Sequence, residues 1–280
     1  MKITKEPASG FQIAFLILAV DFLSAVALKY TADYLGTPKS DLRLLSHNIA
    51  FGVGWSILLV IGPLRRACGA ELRKPLPFRM VPELMSVALA KLANPLAVTG
   101  GTLLWLLATR GQVAACDAVD VCGLGQPHAG RSAAYIVNYM FIAVVVGPIL
   151  EELVYRGFLY RAWERQWGWV RAMLATAIVF GLVHPSHMVS AAIGSIVYVA
   201  VLRRTGTIWG PIAVHSAFNL VVNLPAYQSL RAGDPPEALL GLSSWIPELA
   251  CLAFVAVALP LYVFASRRSA ADSGAPAVGP

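Results

Sequence analysis

The sequence predicts an all-α protein, a polytopic bundle of about eight transmembrane helices. Three observations predict it. Of the 280 residues, 58% are hydrophobic and only 13% are charged, whereas soluble domains carry about 25% charged residues. Apolar runs recur along the chain, and a hydrocarbon core of about 30 Å takes roughly 20 such residues per helical span. Lys and Arg collect in alternate loops, as they do in membrane proteins with a cytoplasmic side.

The runs read as spans near 11–34, 46–64, 84–109, 133–163, 170–184, 188–202, 208–224 and 245–266. The first is too long, and carries Asp21 too deep, for a simple cleaved signal peptide. Through residue 110 the polar intrusions are Asp21, Lys91 and Asn94. An intramembrane charge is a functional hypothesis by default. The plainer expectation is that Asp21 and Lys91 pair with each other or reach the interface. A polar loop follows at 110–132. The polar chemistry is concentrated in 133–224, which reads as a core flanked by helices 1–110 and 245–266. Within it, 170–184 and 188–202 are short and joined by His184-Pro185-Ser186-His187, which suggests a hairpin that does not fully span. Ala191, Gly194 and Ser195 are small residues at helix-packing spacing. The loop 225–244 is turn-rich, and the tail 269–280, rich in Ala, Ser, Gly and Pro, reads as disordered.

The net charge of +7 could suggest nucleic acid, but its distribution says otherwise. With the N-terminus inside, 15 of the 22 Lys and Arg fall on the cytoplasmic side, Arg156 counted among them, and 5 fall outside. That asymmetry is a topology signal and a lipid-surface contact. It gives both termini to the cytoplasm. Short loops and the lack of a targeting signal suggest a bacterial inner membrane. Of the four cysteines, Cys68 and Cys251 read as inert. Cys116 and Cys122 share one outside loop, where an oxidising compartment would allow a disulfide.

Three polar clusters interrupt the apolar runs. Glu151-Glu152 follows the apolar stretch Phe141–Leu150, and an acid at a helix centre costs about 2.5–3.5 kcal/mol on insertion scales. Glu152 and Arg156 are four apart and share a face, so they can pair. Glu151 points about 100° away and lies outside that pair, where it could serve as a general base. Phe180-x3-His184 comes next, and Pro185 puts His184 at a helix end or break. His215-x3-Asn219 places an imidazole and an amide on one helix face, a set that can hold a water or an oxyanion. Gly147-Pro148 and Gly210-Pro211 each precede a polar group, so each should start or kink a helix. The carbonyls of Val144 and Thr207 would then be left to water. Each cluster has a bland reading too: a structural ion pair, a packed His, an interhelical hydrogen bond. His187 reads as a bystander, and Tyr139, Trp163, Trp167 and Trp169 as interfacial anchors. The coincidence of an acid and two imidazoles on nearby helices favours chemistry.

Glu-Glu-x3-Arg, Phe-x3-His and His-x3-Asn, in that order within membrane helices, resemble the CAAX protease and bacteriocin-processing family, also known as type II CAAX prenyl endopeptidases. The resemblance covers about 133–224 and implies an all-α membrane fold. It also implies an intramembrane endopeptidase that cleaves a protein or peptide in or near the bilayer with an activated water. Carried onto this chain, Glu151 is the general base, His184 and His215 position and polarise the water, and Asn219 helps stabilise the oxyanion. Glu152, Arg156 and Phe180 support them. No cofactor is expected. One Glu and two His are also a valid catalytic zinc set, so a zinc or other divalent metal would take Glu151, His184 and His215. Residue types leave both schemes open. The metal-free one is preferred because ligating Glu151 would require another base, and Glu152 is engaged by Arg156. Two other classes remain: a non-enzymatic immunity or partner-binding membrane protein, and a transporter using buried Glu and His. Against the transporter, the polar groups cluster in one place.

Overall fold

The computed structural model describes residues 69–110, 133–184, 187–224 and 246–272. The spans at 11–34 and 46–64, Asp21, Cys68, Cys116, Cys122 and the loop 225–244 lie outside them. Among the described residues the secondary structure is helical throughout, with no strand. Helix α1 (Val81–Lys91) opens on a 3-10 turn with Pro82 in its first turn, and α2 (Ala93–Arg110) follows. The next rod is continuous but changes pitch: α3 (Ala133–Phe141), a π segment (Ile142–Val146), α4 (Gly147–Glu152), a second π segment (Leu153–Tyr160) and α5 (Arg161–Trp167). Gly168, at φ 76, ends the rod in a conformation that suits glycine. Then come α6 (Trp169–Leu182), α7 (Met188–Thr205), α8 (Trp209–Val222) and α9 (Ile246–Asp272).

Four of the described helices are long and apolar enough to cross a membrane: Phe78–Thr102, Tyr135–Trp167, Met188–Thr205 and Ile246–Ser266. The segments expected at 170–184 and 208–224 form helices of 14 residues, about 21 Å long at 1.5 Å per residue and short of a full crossing. Helix α7 has 18 residues, about 27 Å, so only the first arm of the expected hairpin is short. The last helix continues to Asp272, past its expected end near 266.

The chain divides into two compact units. One comprises 69–76 and 145–212 of the described residues. In it α6 shows Val170, Leu174, Ile178 and Leu182 outward at every fourth position, and buries Ala172, Met173, Thr176, Ala177 and Phe180 on the opposite side. An exposed aliphatic stripe of that regularity is at home against acyl chains and a liability in water. On α7 the small residues Ala191, Gly194 and Ser195 are buried, and α6 approaches it most closely where Gly181 faces Met188 and Ala192. Glycine is required at 181, because a Cβ there would lie 2.9 Å from the Met188 carbonyl oxygen. Trp163 is not an interfacial anchor. It is buried and stacked on Trp167 at 5.2 Å, because α5 folds that face onto the unit's core. Arg203 bonds Glu164 at 2.8 Å and stacks over Trp169 at 4.6 Å, tying α7 to α5 and α6. The Thr207 carbonyl is taken by the Gly210 N–H at 3.3 Å and the Thr205 hydroxyl at 3.1 Å, so the expected water is displaced by a local turn.

The other unit comprises 77–110, 133–144, 213–224 and 246–272 of the described residues. Here α9 runs along α2, and Gly100 allows the approach: a Cβ would lie 2.7 Å from the Glu248 carbonyl oxygen. Lys91 is buried rather than interfacial, its ammonium 3.2 Å from the Phe218 ring centroid. The electron-rich ring face offsets part of its lost hydration. Tyr139 likewise turns inward, its hydroxyl donating to Asn223 Oδ1 at 3.1 Å.

Candidate active site

Helical geometry separates the two adjacent acids as the sequence predicts, about 100° apart. Glu152 is fully buried and pairs with the equally buried Arg156, Oε2 to Nε at 3.1 Å. Arg156, counted above among cytoplasmic charges, is therefore an interior group. Its guanidinium lies over the rings of Phe180 at 4.6 Å, Tyr198 at 4.9 Å and Tyr155 at 5.9 Å. Phe180 and Tyr155 meet edge to face at 4.9 Å. The planar cation is thus surrounded by aromatic rings, an arrangement that suits Arg better than Lys.

Glu151 has a different neighbour. Its Oε2 lies 4.0 Å from His184 Nε2, and the two side chains keep 20% and 23% of their exposure. His184 follows the end of α6, as the Pro185 argument requires, and its N–H closes a turn on the Gly181 carbonyl at 2.9 Å. The other ring nitrogen, Nδ1, is 2.7 Å from the Phe180 carbonyl oxygen. A carbonyl only accepts, so Nδ1 carries the proton and donates. In the neutral ring Nε2 is then the basic nitrogen, and it faces Glu151. Two acceptors 4.0 Å apart are too far for a direct hydrogen bond. They suit one water, about 2.8 Å from each, that donates a proton to both. Phe180 links this pair to the ion pair behind it. Its ring is 4.4 Å from the His184 ring and covers Arg156, while its carbonyl fixes the His184 tautomer.

His187 is closer than its reading as a bystander suggests, its ring meeting that of His184 edge-on at 5.2 Å. Tyr198 was not singled out in the sequence. A Tyr in an apolar run carries little signal until the fold puts its ring on Arg156.

His215 and Asn219 belong to the other unit, both on α8. His215 is buried. Asn219 Nδ2 donates to the Ala143 carbonyl at 2.8 Å. Among the described residues, no three His, Cys, Asp or Glu side chains are grouped as metal ligands. Glu151 and His184 supply two potential donors, 4.0 Å apart.

The apolar helices define a class, a polytopic helical membrane protein, and Glu151 and His184 form an acid–imidazole pair within it. Residues 133–221 match the family described as type II CAAX prenyl endopeptidase Rce1-like. Over 94 residues the chain is 28% identical to the "Putative membrane peptidase YdiL" of Bacillus subtilis (strain 168). That match covers 33% of this chain and 38% of the relative, so the chain spans well under half of the relative's length. No solved structure matches. Through this segment the chain resembles the CAAX protease and bacteriocin-processing family.

Proposed function

We propose that this protein is an intramembrane endopeptidase of the CAAX-protease kind. Glu151 activates water against a peptide bond in or near the bilayer. The observation that carries the reading is the Glu151–His184 pair, 4.0 Å apart with the His184 tautomer set by the Phe180 carbonyl, inside the segment that matches the peptidase family. Water bound between them gives one proton to the Glu151 carboxylate as its oxygen bonds to the scissile carbonyl carbon. The tetrahedral adduct collapses, the C–N bond breaks, and Glu151 returns the proton to the leaving amine. His184 Nε2 holds the second water proton and so aims the oxygen lone pair. His215 and Asn219 take the supporting roles that the family resemblance gives them, polarising the water and steadying the oxyanion. The Glu152–Arg156 pair braces the backbone that bears Glu151. The same reading has both termini in the cytoplasm of a bacterial cell.

The test compares protein termini in membranes from cells expressing wild-type chain, Glu151→Gln or His184→Ala. The reading expects new termini with wild type that are lost with both variants at equal expression. Termini that persist with Glu151→Gln would refute the base assignment.

A further inference from the structure

In the unit that carries Glu151, a second set of charged groups gathers at one end of the helices. Glu164 on α5 accepts from Arg203 of α7 at 2.8 Å and pairs with Arg161 at 3.5 Å. Arg203 also lies 4.6 Å from the ring of Trp169, the first residue of α6. The end of α5, the start of α6 and the end of α7 therefore meet here. The segment 69–76 joins them, because Thr207 Oγ1 donates to the Lys74 carbonyl and Trp209 Nε1 to the Leu72 carbonyl, each at 2.9 Å. The acids at this end are engaged: Glu164 as described, and Glu71 by Lys74 at 2.8 Å. Arg73, Arg165 and Arg171 are exposed and have no carboxylate partner among the described residues. This end is left with an excess of positive charge.

Arg171 also borders an apolar surface. It stands three residues before Leu174, so the two are neighbours on the surface of α6. Leu174 belongs to the exposed stripe Val170, Leu174, Ile178 and Leu182. At 1.5 Å per residue the stripe is about 18 Å long, against about 15 Å for one leaflet of a 30 Å hydrocarbon core. Cations at the head of a leaflet-length aliphatic stripe match both halves of one ligand, a phosphate and an acyl chain.

We propose that this end of the unit is a binding site for an anionic phospholipid. Arg165 and Arg171 hold the phosphate, as guanidinium groups do through paired N–H donors, and an acyl chain lies along the α6 stripe. Free phosphate or an acidic protein would engage the cations alone, and the adjoining stripe favours the lipid. His184 follows the opposite end of α6, a helix of 14 residues, about 21 Å away along its axis. The site is thus separate from the Glu151–His184 pair, and its test is independent of any peptidase activity.

The test is native mass spectrometry of the full chain in detergent. The probes are phosphatidylglycerol, phosphatidylcholine with the same acyl chains, and glycerol phosphate as a competitor. An arginine beside an anionic lipid strengthens binding about fivefold. Arg165→Gln with Arg171→Gln should therefore weaken phosphatidylglycerol binding roughly 30-fold. Both positions are exposed, so the variant should melt with wild type. Arg79→Gln, an exposed arginine of the other unit, should leave the affinity within about twofold, which separates a site from a loss of net charge. Wild type should prefer phosphatidylglycerol to phosphatidylcholine, and excess glycerol phosphate should not displace it. Equal affinity for the two lipids would overturn the proposal, as would wild-type binding by the double variant. Displacement by glycerol phosphate would overturn the lipid assignment in favour of a free-phosphate site.

Discussion

Replacing Arg156 with Met should be among the most damaging single changes outside the Glu151–His184 pair. Both members of the Glu152–Arg156 pair are fully buried and 3.1 Å apart. Met fills much of the volume but leaves the Glu152 carboxylate without its cation, inside a core also lined by Phe180 and Tyr198. Breaking a buried pair from one side costs about 3–5 kcal/mol. Replacing both, Glu152→Gln with Arg156→Met, removes the stranded charge and should recover most of that loss. Arg156→Lys should fall between, keeping the charge but losing the flat contact with the rings. The assay is reversible unfolding in mixed micelles at rising sodium dodecyl sulfate, followed by Trp fluorescence. The reasoning is refuted if Arg156→Met stays within about 1 kcal/mol of wild type, or if the double variant is no more stable than Arg156→Met.

Other expectations follow from single contacts. Gly181→Val should destabilise the α6–α7 hairpin by about 1–3 kcal/mol through overpacking against the Met188 carbonyl, read by the same unfolding titration. Trp163→Ala, which empties a buried site, should cost about 3–5 kcal/mol, where an interfacial anchor would cost far less. Tyr139→Phe removes one side-chain hydrogen bond within a membrane helix pair and should cost about 0.6 kcal/mol, at most about 1.7. A larger loss there would mean that the Tyr139–Asn223 bond and the Asn223 Nδ2 bond to the Asn219 carbonyl at 2.8 Å act together.

Much of the helical plan was legible because its signals are local. Run length and low charge marked apolar helices, and Pro185 marked the end at which His184 sits. The four-residue spacing of Glu152 and Arg156 announced their pair, and Ala191, Gly194 and Ser195 announced a buried face of α7. What stayed hidden depends on pitch and on distant partners. No residue pattern distinguishes a π segment from an α-helix, so the change of pitch at Ile142–Val146 and Leu153–Tyr160 stayed hidden. Trp163 and Tyr139 look like interfacial residues by type, and only the packing of α5 and the partner Asn223 show that they turn inward. Likewise Glu151 read simply as the acid outside the Arg156 pair. Its partner became visible once α6 brought His184, held by the Phe180 carbonyl, within 4.0 Å.

The most direct measurement uses purified chain in proteoliposomes with a pool of membrane-inserted peptides, in water enriched in heavy oxygen, read by mass spectrometry. Wild type should generate new carboxyl ends carrying one heavy oxygen, and Glu151→Gln, equally folded, should generate none above background. Heavy-oxygen ends appearing at the same rate with Glu151→Gln would contradict the claim that this carboxylate activates the water.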